Sequence, residues 1–306
     1  MRILIFILIT GLSFKIFAAP CEQMQLQVQP SNVDLSSNPN SSATIVVKAN
    51  TNDGGCDFFL TFDYGTASSF NNRILDYGVF TWPMQISKNS SHTQVLKKFP
   101  DISSNNDVLN NSLPSGSNDA QRTLTYWMQV DQTDTWRKAG NYKDNFTVRL
   151  YRGTISSYTF IDSRLISANY NAPKKADISV IPTGQPFSVT NTTETLNFGT
   201  LSTGDTKSAD IRIKTNAGYS LYASSLNNGA LKHLSLNSFI SYTANFAGVA
   251  ASLSGSAAIP KLVKQENGDS PANGFLIPAN ITIGNTSGAQ SGSYSDTITL
   301  TIQTRN

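Results

Sequence analysis

Residues 140–151, GNYKDNFTVRLY, return as residues 292–303, GSYSDTITLTIQ, with Gly, Tyr, Asp and Thr at the same positions. The chain carries one module twice, so the two copies must give this closing strand the same place in the fold. The first copy runs on into a stretch able to form another strand, whereas only three residues come after the second, ending at Asn306. The expectation is a second module one strand short. An unfinished sandwich leaves an apolar groove and unpaired backbone, and a strand from another chain is the simplest way to complete it. The chain reads as an assembly protein rather than an enzyme.

The repeat divides 306 residues almost in half, enough for two ordinary domains. Only 14% of residues are charged, and polar runs of Ser, Thr, Asn and Gly separate short alternating segments, the pattern of a secreted all-β protein. Met1 and Arg2 lead into ILIFILI at residues 3–9, with small residues at Ala18 and Ala19. This reads as a signal peptide over residues 1–18. A membrane span needs about 20 apolar residues, and Thr10, Gly11, Ser13 and Lys15 interrupt this run. Pro20 disfavours cleavage after Ala19 and, standing before Cys21, a lipoprotein signal. Without Arg2 and Lys15 the formal charge of +3 falls by two, and no basic run interleaved with aromatics is present, which excludes nucleic acid as a partner. Cys21 and Cys56, the only cysteines, both fall in the first module. In an exported chain they are expected as a disulfide.

Period-two segments recur at residues 25–28, 43–48, 58–62, 82–87, 93–99, 122–130, 145–151 and 158–166, and no helical periodicity competes with them. Short strands separated by Asn, Ser and Gly turns describe a sandwich. Residues 167–177, with a Pro and two Lys, read as an exposed connection. The expected domains are therefore 19–171 and 172–306. Counting strands back from that connection sends the loops at 64–81, 100–121 and 152–157 to the opposite end of the first module. These loops are rich in apolar residues. The candidates for an exposed binding surface are Phe70, Ile74, Leu75, Tyr77, Val79 and Phe80 in the first, and Val108, Leu109, Leu113 and Pro114 in the second. Trp136 counts to the end near the connection.

Catalysis has little to work with. The two histidines, His92 and His233, sit one per module in polar surroundings expected of solvated residues. There is no nucleophile elbow and no phosphate-cradling Gly loop. Asp131 and Asp134 read as turn residues rather than a Ca²⁺ site. Asp144 and Asp296 recur in both copies, as expected of residues serving the shared fold. No cofactor or metal is expected.

The closing motif at 292–304, FGTL at 198–201 and TNAGYSL at 215–221 resemble the spore coat protein U domain, which builds subunits of archaic, Csu-type chaperone–usher pili. RILDYG at 73–78, TLTYW at 123–127 and GNYKD at 140–144 resemble the same pattern in the first module. The resemblance implies two immunoglobulin-like, pilin-like β-sandwich domains, the C-terminal one lacking its final strand. It also implies a tip adhesin: only Ala19 and Pro20 would precede Cys21 after processing, leaving nothing to donate to a neighbour. Attachment and biofilm formation would result from apolar loops of the N-terminal domain. The implied partners are a periplasmic pilus chaperone, an outer-membrane usher, an adjacent subunit supplying a donor strand, and hydrophobic or host surfaces. The implied location is the pilus tip at the surface of a Gram-negative bacterium. Cys21 and Cys56 match the family's disulfide; the second module departs from the family in having none. A lectin-like domain using Tyr, Trp and Asn of the same loops, or a structural coat component, is the alternative reading.

Overall fold

The computed structural model describes residue 21, residues 23–134 and residues 136–305; the expected signal segment lies outside the described residues. Contacts divide the chain into two units. One runs to Asp131 and takes in Tyr142–Tyr170; the other comprises Gln132–Asn141 and the chain from Asn171 onward. Both are all-β, and helix among the described residues is limited to two single 3₁₀ turns, Phe70–Asn72 and Asn105–Asp107.

The first unit contains β1 (Gln25–Gln29), β2 (Asn32–Asp34), β3 (Asn40–Ala49), β4 (Cys56–Phe62), β5 (Ile74–Tyr77), β6 (Phe80–Ser87), β7 (Leu109–Leu113), β8 (Ala120–Val130), β9 (Gly140–Thr154) and β10 (Ser157–Ala172). One layer is β1-β3-β8-β6, the other β7-β4-β9-β10-β2, with β5 linking β6 to β9 at a corner. Alternation sets the register. Ile45, Val47 and Ala49 on β3 and Tyr126, Met128 and Val130 on β8 face inward and are buried, with Ile45 opposite Leu124. A slip of one residue would turn every one of them to solvent. β9 buries Tyr142, Phe146, Val148 and Leu150 in the same way.

β9 also serves as a ruler for the loops. Its start lies beside β5, Asp76 opposite Lys143, while its far half pairs with β4, Phe58 opposite Arg152. Leu113 of β7 lies opposite Cys56, at that far end. The 64–81 loop and the 152–157 hairpin therefore occupy opposite ends of the unit, correcting the expectation that three loops converge. The count failed because the 100–121 stretch hides a strand: β7 runs antiparallel to β4 within it, which reverses the direction assigned to the strands that precede it.

The second unit contains β11 (Ala176–Ile181), β12 (Thr206–Thr215), β13 (Gly218–Ser225), β14 (Ala230–His233), β15 (Phe239–Phe246), β16 (Val249–Ala251), β17 (Lys261–Glu266), β18 (Phe275–Ile283), β19 (Tyr294–Ser295) and β20 (Ile298–Arg305). One sheet runs β11-β12-β18-β15-β14-β19, with β16 on β15; the facing sheet is β17-β13-β20. Its core gathers Ile211, Ile213, Tyr219, Leu221, Tyr242, Phe246, Ile277 and Ile281.

Cys21 and Cys56 are joined in the first unit, closing a loop 35 residues long that ties the start of the chain to β4. Closing a loop of that length stabilises by about 3–4 kcal/mol through the unfolded state. Cys21→Ser with Cys56→Ser is expected to lower the denaturant midpoint of the first unit accordingly and leave the second unit's transition in place, measured by fluorescence-detected unfolding.

Candidate functional site

The repeated strands β9 and β20 differ in their neighbours. β9 is flanked by β4 and β5 on one side and by β10 on the other; among the described residues β20 pairs with β13 alone. The difference shows in burial. Phe146, Val148 and Leu150 on β9 are fully buried, whereas Ile298, Leu300 and Ile302, their counterparts in the repeat, are only half-buried. What covers the first set is β10, whose Ile166, Ala168, Tyr170 and Ala172 all point inward and are buried.

Beside the free edge of β20 lies an open cleft of about 1210 Å³. Ile178 and Val180 of β11 form one wall and Ile298 and Leu300 the other, over a floor that includes Ile211, Ile240, Phe246 and Ile281. The chain segment 192–201 also lines it, with Leu196 and Phe198 packed against the core. Among the described lining residues Glu194 and Asp296 alone are charged, and no Lys, Arg, His or Cys is present. Asp296 is committed to the fold, accepting hydrogen bonds from Ser225 Oγ (2.6 Å), Asn227 N (2.9 Å) and Tyr242 OH (2.6 Å). Such a cleft, apolar within and bordered by an unpaired main chain, suits a neutral extended strand.

Asp144 in the first unit plays the matching part, accepting from Thr66 N (2.9 Å) and Thr66 Oγ1 (3.1 Å). Burial raises its pKa against the pull of those donors. Gly65, at φ 63°, is needed beside it: a Cβ there would lie 2.1 Å from Asp144 Oδ2. The shared aspartate thus pins a loop to the closing strand in each copy.

The candidate loop residues divide sharply. Phe70, Leu75, Val108, Leu109 and Leu113 are buried, correcting the expectation that they are exposed. Two polar anchors explain why. Arg73 is fully buried, and its guanidinium donates to the carbonyls of Phe62, Asp63, Ile86 and Leu96 and to Gln85 Oε1 while lying 5.0 Å from the Phe70 ring. Burial lowers its pKa to about 9. The loop wraps around this cation and carries Phe70 and Leu75 inward. In the other loop, Asp107 accepts from Ser103 N, Ser103 Oγ and Ser104 N at 2.8–2.9 Å and pairs with Lys97 at 2.9 Å. This folds Val108 beneath the sheet, and β7 pairs with β4, burying Leu109 and Leu113.

Tyr77, Val79 and Phe80 do reach solvent, at 42%, 89% and 39% exposure, and Pro114 is exposed; Ile74 is half-buried. The turn between β5 and β6 accounts for the first three. Gly78 takes φ 62° at its first central position, the arrangement of a tight two-residue hairpin, and Val79 becomes the tip. Tyr77 lies against Tyr142, near the start of β9 and so near the end of the unit from which the chain leaves. At the other end sits an aromatic group absent from the candidate residues: Phe99 stacks on Tyr158 at 4.5 Å, beside Tyr151 and an exposed Phe160. Its signal in the sequence was Tyr151, Tyr158 and Phe160 closely spaced across one hairpin.

His233, expected as a solvated residue, is buried against Tyr294, with Nδ1 accepting from the N–H groups of Ser235 and Leu236. His92 is half-buried and bonds Ser87 Oγ and Asn40 Oδ1. Trp136 belongs to the second unit, with Lys214 Nζ 5.0 Å from its ring centre.

No protein-family model matches this chain, and no curated protein matches it. Among solved structures it is similar to the CsuC–CsuE chaperone–tip adhesion subunit complex from archaic chaperone–usher Csu pili of Acinetobacter baumannii, at 12% identity and TM-score 0.42, over 91% of this chain and 100% of that one. It is also similar to the CupB6 tip adhesin from Pseudomonas aeruginosa, at 10% identity and TM-score 0.39, over 92% and 95% of the two chains. A third is CfaE, the adhesive subunit of CFA/I fimbria of enterotoxigenic Escherichia coli, at 10% identity and TM-score 0.36, over 89% and 92%.

The Asp107 anchor titrates. Burial opposes its ionisation, but the hydrogen bonds from Lys97, Ser103 and Ser104 prevail and hold its pKa at about 2, below the ordinary value near ~3.9. Its contribution is complete above about pH 4 and is lost as pH falls through about 2. Asp107→Asn is expected to cost the first unit about 1–2 kcal/mol at neutral pH, allowing for the partly exposed Lys97, with the difference from wild type vanishing in acid; unfolding curves at several pH values check it.

Proposed function

We propose that this chain is the tip subunit of a chaperone–usher pilus, with a complete first unit for attachment and a second unit that receives a strand from the adjacent subunit. The observation that carries the proposal is the contrast between two copies of one strand: β9 is covered by β10, while β20 has an unpaired edge, a half-buried apolar row and an open cleft beside it. The spore coat U-like motifs, the period-two pattern and the disulfide of the first unit support the same assignment. In this reading the chain leaves through the periplasm after removal of residues 1–18, a chaperone occupies the cleft until the usher exchanges it for the neighbour's strand, and the assembled tip serves attachment to surfaces and biofilm formation. Filling the cleft with four or five apolar side chains would contribute about 6–15 kcal/mol before ordering costs.

The expected behaviour is plain. Expressed alone, the full chain shows one cooperative thermal transition, from the first unit, and aggregates; co-expression with the cognate chaperone, or fusion of a donor strand to the C-terminus, adds a second transition. Two cooperative transitions in the monomeric, unfused chain would overturn the proposal.

Attachment is assigned to the apolar side chains that the first unit leaves exposed. Val79→Asp with Phe80→Asp is expected to lower pilus-mediated adhesion to polystyrene by about tenfold or more, from the loss of two side chains worth about 1.5–3 kcal/mol each when buried. Detergent should block the wild-type contact and free sugars should not; the reverse pattern would favour the lectin-like alternative.

A further inference from the structure

The repeated tyrosine meets a second ring in both units, and the two rings differ in kind. Tyr142, at the start of β9, has the indole of Trp82 edge-on at 5.3 Å; Tyr294, its counterpart before β20, has the imidazole of His233 edge-on at 5.0 Å. An imidazole gains and loses a proton near neutral pH, whereas an indole does not. The titratable ring thus sits in the unit that carries the open cleft.

His233 is buried and both of its ring nitrogens are committed. Nδ1 accepts from Ser235 N at 3.1 Å and from Leu236 N at 3.0 Å, so the ring's hydrogen is on Nε2, which donates to Ser291 O at 3.1 Å. Gly292 is packed so closely on Nε2 that a Cβ has no room there. Tyr294 extends the knot: its OH donates to Gln290 O at 2.9 Å and accepts from Ser238 Oγ at 2.9 Å. One neutral imidazole therefore fastens the 234–238 turn to residues 290–294, all of which line the cleft. Among the described residues no carboxylate bonds to the ring. Neither the 234–238 turn nor segment 285–293 contains an ionisable residue. Lys232 of β14 is exposed, and Asp296 is engaged by Ser225, Asn227 and Tyr242 of β15.

We propose that His233 is a proton-operated latch on the wall of the cleft: the neutral ring holds residues 290–294 in place, and the imidazolium releases them. Protonation at Nδ1 turns an N–H toward the two amides that now donate to it, and neither can accept. The turn and the knot must then part for the charged ring to reach water. Because the closed wall fits only the neutral ring, the released form takes up the proton, so closure is favoured as pH rises and lost as pH falls. The consequence for an occupying strand, a weaker hold in acid, rests on the donor-strand reading above; the latch itself does not. Trp82 leaves the first unit without this response.

Amide hydrogen exchange of the full chain, with and without the C-terminal donor-strand fusion, tests this at about pH 7.5 and about pH 5 after correction for intrinsic rates. Protection of residues 235–238 and 290–294 is expected to fall by about tenfold or more in acid, while residues 140–142 of the first unit keep theirs. His233→Gln, which retains a neutral donor and acceptor, is expected to abolish the fall. Unchanged protection of 290–294 in acid, or an equal fall in residues 140–142 or in His233→Gln, would overturn the latch. Should the Gln variant fail to fold, imidazole nitrogen-15 resonances of the native chain decide: Nδ1 bare at neutral pH, with protonation coincident with the loss of protection, is expected. A ring that takes up its proton while 290–294 stay protected would overturn the latch. Residues 299–303 report separately on the occupying strand, and their rapid exchange in the fused chain would overturn the donor-strand reading alone.

Discussion

Every β-strand has two edges of hydrogen-bonding groups, and a sandwich is stable only when each edge is paired, solvated or covered. In this chain the decisive edge is that of β20. The same sequence pattern that is sealed on both sides in β9 stands with one partner here, and the distinctive features of the second unit all stem from that difference. Its inward row is half-buried, and its core is open on that side. The first unit meets the same demand with its own β10, so two copies of one strand have different neighbours within a single chain.

The first unit uses its polar groups differently. Arg73 is taken wholly out of water, a placement that would be costly were its donors not matched by four backbone carbonyls and Gln85. The cation thereby supplies to those carbonyls the bonds that a sheet would otherwise provide. Asp107 does the converse, gathering N–H groups from Ser103 and Ser104. The pair converts two long connections into part of the core, leaving one tight turn to carry Tyr77, Val79 and Phe80 outward.

The all-β character and the doubled module were legible because both rest on local pattern: alternation in β3, β8 and β9, and an identical Gly-Tyr-Asp-Thr spacing in β9 and β20. Loop exposure was not. Phe70 and Val108 are drawn inward by Arg73 and Asp107, which sit near them in sequence but act through partners more than ten residues away, such as Ile86 and Leu96, or through a surface lysine. Strand direction failed because β7, with Asn110, Asn111 and Ser112 exposed between Leu109 and Leu113, has a polar centre and lies in a stretch that composition alone describes as one loop. The buried state of His233 was likewise out of reach, because its acceptor role depends on the N–H groups of Ser235 and Leu236 turning back onto the ring.

The position of β10 has a mechanical consequence. The chain leaves the first unit from the end of this strand, and β10 is laced along one edge to β9 and along the other to β2. Tension applied beyond Ala172 is therefore directed along the strand axis and loads both ladders in shear, so their hydrogen bonds must yield together rather than open one after another like a zipper. The element that completes the first core is also its anchor against pulling.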